Sequence, residues 1–313
     1  MAWRRGSRGS RHRDVRGVCR RCLVLLLTIV SFAVGVRAVV AGEPPPFPFT
    51  RIVSLGPLLT ENVFLLGAGD SLVGNTLYCQ RPEAARHKVK VGSVQELSIE
   101  KVVSLRPQLI LANNLTPPQQ VDQLRHLGFR VESFGQPATF AAICDQFLQL
   151  GRLLGLEKRA EAIVGQAREQ VEVVRRAVAP YPRRKVFLQV GAHPLFSSVK
   201  RSFTNDFIEL GGGVNIVGDQ LSGVMKTEQV IALNPDLIVI AVMGSQSGIG
   251  AEQKQHWLSF DAINAARNKQ VYVMDPDAVC SPSPLSFAAT LRVIARLIHP
   301  EASIAAAEPV PQP

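Results

Sequence analysis

Beyond residue 41, five histidines, three cysteines and a few loop aromatics are the residues whose types could do chemistry. Their spacing suits holding a ligand better than breaking a bond. His87, His126, His193, His256 and His299 are scattered, and none forms an H-x-H or H-E-x-x-H pair that would turn two imidazoles toward one zinc ion. A protein-only metal site is not expected. A lone histidine could still be the axial ligand of a metal already held in a chelate. His193 is the candidate, because it lies in a Gly/Pro loop at an expected strand end; a solvated loop histidine is the plainer alternative. Of Cys79, Cys144 and Cys280, an odd number, at least one must remain a free thiol. Cys79 and Cys280 could face each other from two loops, yet two thiols without histidine partners make a thin redox or metal site. No G-x-S-x-G elbow and no P-loop occurs. Gly67-x-Gly69-x-x-x-x-Gly74 has the wrong spacing for a dinucleotide and follows a helix, as a C-cap leading into a strand does. Catalytic residues and a resident cofactor are therefore not expected.

The elements that position these residues alternate between strand and helix. Arg51–Leu55 is expected as a strand ending in Gly56-Pro57, followed by a helix capped by Thr60 with Glu61 in its first turn. Leu72–Gly74, Leu109–Ala112 and Arg130–Phe134 read as further strands; Leu97–Leu105, Pro117–Leu127 and Phe140–Leu154 read as helices. Glu157–Ala179 is one long helix, solvated on its charged face and packed through Ile163, Val164, Ala167, Val171 and Val174. A second series follows. Strands are expected at Lys185–Val190, Asp236–Ala241 and Gln270–Met274, and helices at Asn205–Leu210, Phe260–Ala266 and Leu285–Ile298. Loops are expected at Gly191–Arg201 and Met243–Gly250. Such alternation gives parallel β-α-β units. In such sheets ligands bind beyond the carboxyl ends of the strands, where Pro57, Tyr78, Phe196 and Asp277 fall. Tyr78 and Phe196 could wall a large flat ligand or simply pack their own loops; Trp257 reads as packing.

The series are copies of one another. E-K-V-V-S-L-R-P-Q-L-I at 100–110 returns as E-Q-V-I-A-L-N-P-D-L-I at 228–238, and L-G-A-G-D-S-L-V-G at 66–74 echoes L-G-G-G-V-N-I-V-G at 210–218. Two similar lobes make a cleft, a preferred place for a ligand. The repeat also sets one acid at a helix start in each lobe, Glu100 and Glu228. Either the helix dipole accounts for both, or they dock onto basic sites of a two-fold partner; the residues leave both readings open.

The 313-residue chain divides by this reading into a leader (1–41), an N-terminal lobe (42–155), an interlobe helix (156–180), a C-terminal lobe (181–300) and a disordered Ala/Pro-rich tail (301–313). The leader holds nine arginines against Asp14, a short apolar run Cys22–Val36 and small residues at its exit. That is the pattern of a cleaved signal peptide, with a membrane anchor as the alternative. Arg20-Arg21-Cys22-Leu23-Val24 faintly resembles a twin-arginine export signal, and no lipobox cysteine follows. The leader accounts for +8 of the net charge of +10. The remainder is near neutral, and the basic balance gives no reason to expect nucleic acid.

Residues 51–298 resemble the periplasmic solute-binding proteins of ABC importers for cobalamin, ferric siderophores and haem. The resemblance is carried by V-G-S-V-Q-E-L-S-I-E-K-V-V-S-L-R-P-Q-L-I-L-A (91–112), K-V-F-L-Q-V-G-A-H-P-L-F-S-S (185–198) and G-G-G-V-N-I-V (211–217), and lies closest to the cobalamin branch. It implies two Rossmann-like α/β lobes joined by a long helix, the class III architecture, with a shallow cleft. It implies a monomer in the periplasm that presents a small-molecule metal chelate to a permease dimer and its ATPase subunits. It further implies that Glu100 and Glu228 pair with permease arginines and that Tyr78, Phe196 and Asp277 touch the ligand. Three departures stand out. Val94 and Ser222 replace two cleft tryptophans, Cys280-Ser281-Pro282 replaces an arginine expected after Asp277, and Ser93 stands where haem binders often carry a ligand tyrosine. Cobalamin or a related corrinoid is the expected cargo, with a ferric siderophore or haem as the alternative. A metal-cluster enzyme or a ligand sensor on the same fold is the remote one.

Overall fold

The computed structural model describes residues 48–93, 96–242 and 248–305. The leader, Val94, residues 243–247 of the expected loop and the end of the tail lie outside the described residues. Strands β1 (Ile52–Ser54), β2 (Leu72–Asn75), β3 (Val89–Lys90), β4 (Leu109–Asn113) and β5 (Val131–Phe134) form a parallel sheet ordered β3-β2-β1-β4-β5. Strands β6 (Arg184–Ala192), β7 (Leu195–Ser197), β8 (Gly213–Asn215), β9 (Leu237–Ile240) and β10 (Val271–Val273) form the second sheet, ordered β10-β9-β6-β7. One edge of β6 serves two partners. Residues 184–186 pair with β8 in parallel, and residues 189–192 pair with β7 antiparallel.

The sequence repeat is a repeat of topology. Each copy is a short helix, Ile99–Ser104 or Thr227–Leu233, leading into the strand beside its lobe's first strand, β4 beside β1 or β9 beside β6. The second echo delivers β2 and β8, on the other side of β1 and β6. At each helix end one residue takes a left-handed backbone, Arg106 at φ 45° and Asn234 at φ 47°. This turns the chain into Pro107 or Pro235 and on to the strand.

Between the sheets runs the helix Glu157–Val178, 22 residues and about 33 Å long. Val164, Ala167, Val171 and Val174 are buried along it, with Ile163 partly so. They pack with the closing helix, Pro284–Ile298, in one apolar cluster that takes in residues of both sheets. Phe140, Phe287 and Phe207 stack within it, with ring centroids 4.6 and 4.2 Å apart. One ring comes from the helix after β5, one from the closing helix and one from the second lobe.

Several expected elements differ. Thr60 does not cap the first helix. That helix spans Pro57–Leu65 because Pro57 at its first turn already has a helical φ, and Thr60 turns its hydroxyl inward to Ser54 Oγ (2.9 Å) and Cys79 Sγ (3.1 Å). The expected loop Gly191–Arg201 contains β7. Where the loop to Gly250 was expected, the helix Ile249–Leu258 begins; its anchor is Trp257, fully buried with Nε1 donating to Gln189 Oε1 at 2.7 Å. The Phe260–Ala266 helix shrinks to Asn264–Arg267, because Phe260 packs back on His256 and Trp257 and holds the chain in a turn.

Candidate functional site

All of the sequence-predicted ligand residues lie on the carboxyl side of the sheets. Pro57 follows β1, Tyr78 follows β2, His193 follows β6, Phe196 lies in β7 and Asp277 follows β10. Loops of the two lobes meet there. The Arg81 guanidinium, from the loop after β2, lies 3.2 Å from the carbonyl oxygens of both Asp277 and Ser281 in the other lobe and 3.0 Å from the Glu61 carboxylate. No arginine lies in the segment just after Asp277, residues 278–283; an arginine of the opposite lobe reaches that segment instead. Asp275 caps the short helix there by accepting from the Asp277 N–H at 2.9 Å. The Asp277 side chain itself is exposed.

The mouth is apolar. Tyr78 is 62% exposed, and Leu77 and Leu115 stand out on the same lobe. Facing loops of the second lobe expose Phe196 (39%), Val224 and Leu221 (87%). Six of the twelve large apolar side chains exposed among the described residues belong to these loops, and such a grouping beside a cleft is a candidate binding surface. Tyr78 is held out by a braced loop. Lys90 Nζ donates to Asn75 Oδ1 (2.8 Å), Ala85 O (3.0 Å) and Cys79 O (3.3 Å), and burial lowers its pKa from the ordinary lysine value, partly offset by Cys79. Phe196 is aimed by its neighbours. The 221–225 loop pairs with β7, and a Cβ on Gly223 would sit 2.3 Å from Ser197 O and 2.8 Å from the Phe196 ring. Only glycine admits that approach.

His193 is exposed at the tip of the β6–β7 hairpin, and Pro57 is half-buried at its helix start. Cys79 and Cys280 are not brought together. Cys79 is fully buried against Thr60 and Thr76, Cys280 points to Ala241 O at 3.7 Å, and all three described cysteines are free. Among the described residues no cluster of His, Cys, Asp and Glu could hold a metal ion. Glu100 and Glu228 are both exposed, each in the first turn of its helix, and neither makes an ion pair among the described residues.

Sequence reasoning missed Arg81, Leu115, Leu221, Val224 and a small recess beside Phe196. Of these only Arg81 left a trace, as a charge inside an otherwise apolar and polar loop, Thr76–Pro82.

A family model described as periplasmic binding protein matches residues 52–278. A vitamin B12-binding protein of Yersinia pseudotuberculosis is 31% identical over 233 residues, 74% of this chain and 78% of that one. An uncharacterised ABC transporter substrate-binding lipoprotein of Bacillus subtilis is 28% identical over 242 residues, 75% of each. The crystal structure of a periplasmic haem-binding protein from Pseudomonas aeruginosa superposes with a TM-score of 0.73 at 25% identity, covering 82% of this chain and 95% of that one. The fold of this chain is the class III type, a parallel sheet and a mixed sheet joined by one long helix. A match that runs through both sheets and the helix between them leaves one assignment: this chain belongs to the periplasmic binding protein family.

Proposed function

We propose that this protein is the extracytoplasmic substrate-binding component of an ABC importer and captures cobalamin or a related corrinoid between its lobes. The observation that carries the reading is the rim. Tyr78 and Leu115 on one lobe and Phe196, Leu221 and Val224 on the other expose apolar surface at facing strand ends, a lining suited to the faces of a broad, flat chelate. Pro57, His193 and Asp277 complete the set of ligand contacts, with His193 placed to approach a chelated metal from the side of the β6–β7 hairpin. The task is capture and presentation, with no bond made or broken.

In this reading the lobes correspond to residues 42–155 and 181–300, the leader directs export to the periplasm and is removed, and the protein works as a monomer. Glu100 and Glu228 occupy equivalent first turns, one per lobe, and dock onto basic sites of a permease dimer that carries its ATPase subunits. Their exposure, and the absence of ion pairs to them among the described residues, support that role.

A ferric siderophore or haem is the second reading; the fold likeness to the Pseudomonas protein favours haem, and Ser93 in place of a ligand tyrosine weighs against it. Calorimetric titration of the chain from Gly42 with cyanocobalamin, then cobinamide, then haem separates the readings. Saturable one-to-one heat with a corrinoid is expected. Heat with haem alone replaces the corrinoid by the second reading.

A further inference from the structure

Beside Phe196 a recess of about 220 Å³ opens between the lobes. Its polar lining comes from Gln136, in the loop after β5 of the first lobe, and from Ser197, Ser198, Ser202, Thr204 and Cys280 of the second. None of its lining residues carries a charge. Three of the hydroxyls form a relay with a fixed direction. Thr204 Oγ1 donates to Ser198 Oγ at 2.7 Å, so the 2.7 Å contact between Ser202 and Thr204 must have Ser202 as donor. Ser202 Oγ in turn accepts from the Thr204 N–H at 3.3 Å, as the cap of the helix Phe203–Leu210. The relay ends on the Ser198 proton. Ser198 is 2% exposed, and its hydroxyl proton has no acceptor among the described residues. A buried donor without a partner is costly, and a ligand that supplies an acceptor recovers that cost.

The surroundings decide which acceptor. The Cys280 thiol is pushed up to about 12 by burial and by Asp277 and Asp275, and stays neutral. Lys200 is engaged by Asp219 at 2.7 Å. Arg81, which reaches the Asp277–Ser281 segment, is paired with Glu61. Asp206 follows Thr204 on the same helix, its carboxylate accepting from the Phe140 N–H at 2.7 Å. A carboxylate entering the recess would lose its water among neutral groups, with no cation in the lining to pair with it. A carboxamide pays no such cost. Its carbonyl would accept a hydrogen bond from the Ser198 hydroxyl, and its NH₂ would donate one to the Gln136 side-chain oxygen.

We infer that this recess is a subsite for an uncharged carboxamide arm of the ligand, and that it selects amide-bearing chelates against the same ring bearing carboxylates. The inference rests on the corrinoid reading of the cleft and names the side groups that reading leaves open. The test is competition between cobinamide, whose ring arms are amides, and cobyrinic acid, the corresponding ring with carboxylates, at pH 7. The purified protein should bind cobinamide at least tenfold more tightly. In Gln136→Ala and in the double variant Ser198→Ala, Thr204→Val the ratio should fall below about threefold through weaker cobinamide binding. Gln136 is exposed, so its replacement leaves folding out of the comparison. Equal binding of the two rings, or a ratio unchanged in both variants, overturns the subsite and leaves the corrinoid reading standing. Binding of neither ring overturns both.

Discussion

Arg106 and Asn234, 128 positions apart, close equivalent helices with the same left-handed turn, at φ 45° and 47°. The turn is the hinge point of the repeat in each lobe. It ends the helix that carries Glu100 or Glu228 and starts the strand beside the lobe's first strand. A side chain with a Cβ is disfavoured there by about 1 kcal/mol relative to glycine, and asparagine tolerates it better than arginine. Arg106→Gly should therefore raise stability by ~0.5–1 kcal/mol. Asn234→Ala should lower it by ~1–2 kcal/mol, since Asn234 Oδ1 also accepts from the Asn264 N–H at 2.8 Å. Urea unfolding of the two variants measures both.

Changing Glu100 and Glu228 together to alanine should abolish uptake in cells and leave the calorimetric ligand affinity within twofold of the parent. Loss of affinity in the purified double variant would remove both residues from the docking surface.

Tyr78→Ala should weaken corrinoid binding by about tenfold, the effect of about 1.4 kcal/mol, with no change in the melting temperature of the ligand-free protein, because its ring is largely in water. Gly223→Ala should weaken binding by a similar factor through displacement of Phe196 and should also cost stability, because the added methyl meets main-chain oxygen. Unchanged affinity in either variant takes that wall out of the cleft.

Arg81→Ala leaves the mostly buried Glu61 carboxylate without its counter-ion and removes a side chain that spans the lobes. The melting temperature should fall by a few degrees. Arg81→Lys should restore part of the loss, since an ammonium supplies the charge without the guanidinium fork.

Burial pushes the Cys144 thiol up to about 11 and the Cys280 thiol up to about 12 from an ordinary value of 9.0. From pH 9 upward the unfolded chain gives up protons that the folded chain retains. Stability is unaffected by these groups below about pH 9 and falls as pH rises toward 11 and 12, by at most ~1.4 kcal/mol per pH unit for each thiol. Urea titrations at pH 8 and pH 10.5 should show a smaller drop in a Cys144→Ala, Cys280→Ala variant than in the parent.

How far the sequence spoke depended on the kind of signal. The lobes, the long helix and the strand-end positions of Tyr78 and Asp277 were legible, because the repeat and the apolar periodicity are written along the chain; Phe196 reads as loop and lies in β7, a strand made by pairing with β6. The helix Ile249–Leu258 was not legible, since its buried anchors, Trp257 and Gln253, are captured by Gln189 in contacts across 68 and 64 residues. Thr60 misled for a related reason. A threonine before an acid is a good cap, and Pro57 three residues earlier is a better start. The Arg81 bridge depends on loops brought together by the fold, and nothing in the local spacing announces it; the Ser198 relay lies within seven residues, and what the fold adds is Gln136 from the other lobe.

The stack of Phe140, Phe287 and Phe207 ties helices from both lobes into one core. Swinging the two sheets far toward each other would have to part these rings and strip apolar surface from both sides of the long helix, which burial opposes. Under the proposed function a permease would then meet nearly the same outline with and without cargo, and the message that cargo is aboard would have to be read from what sits in the mouth.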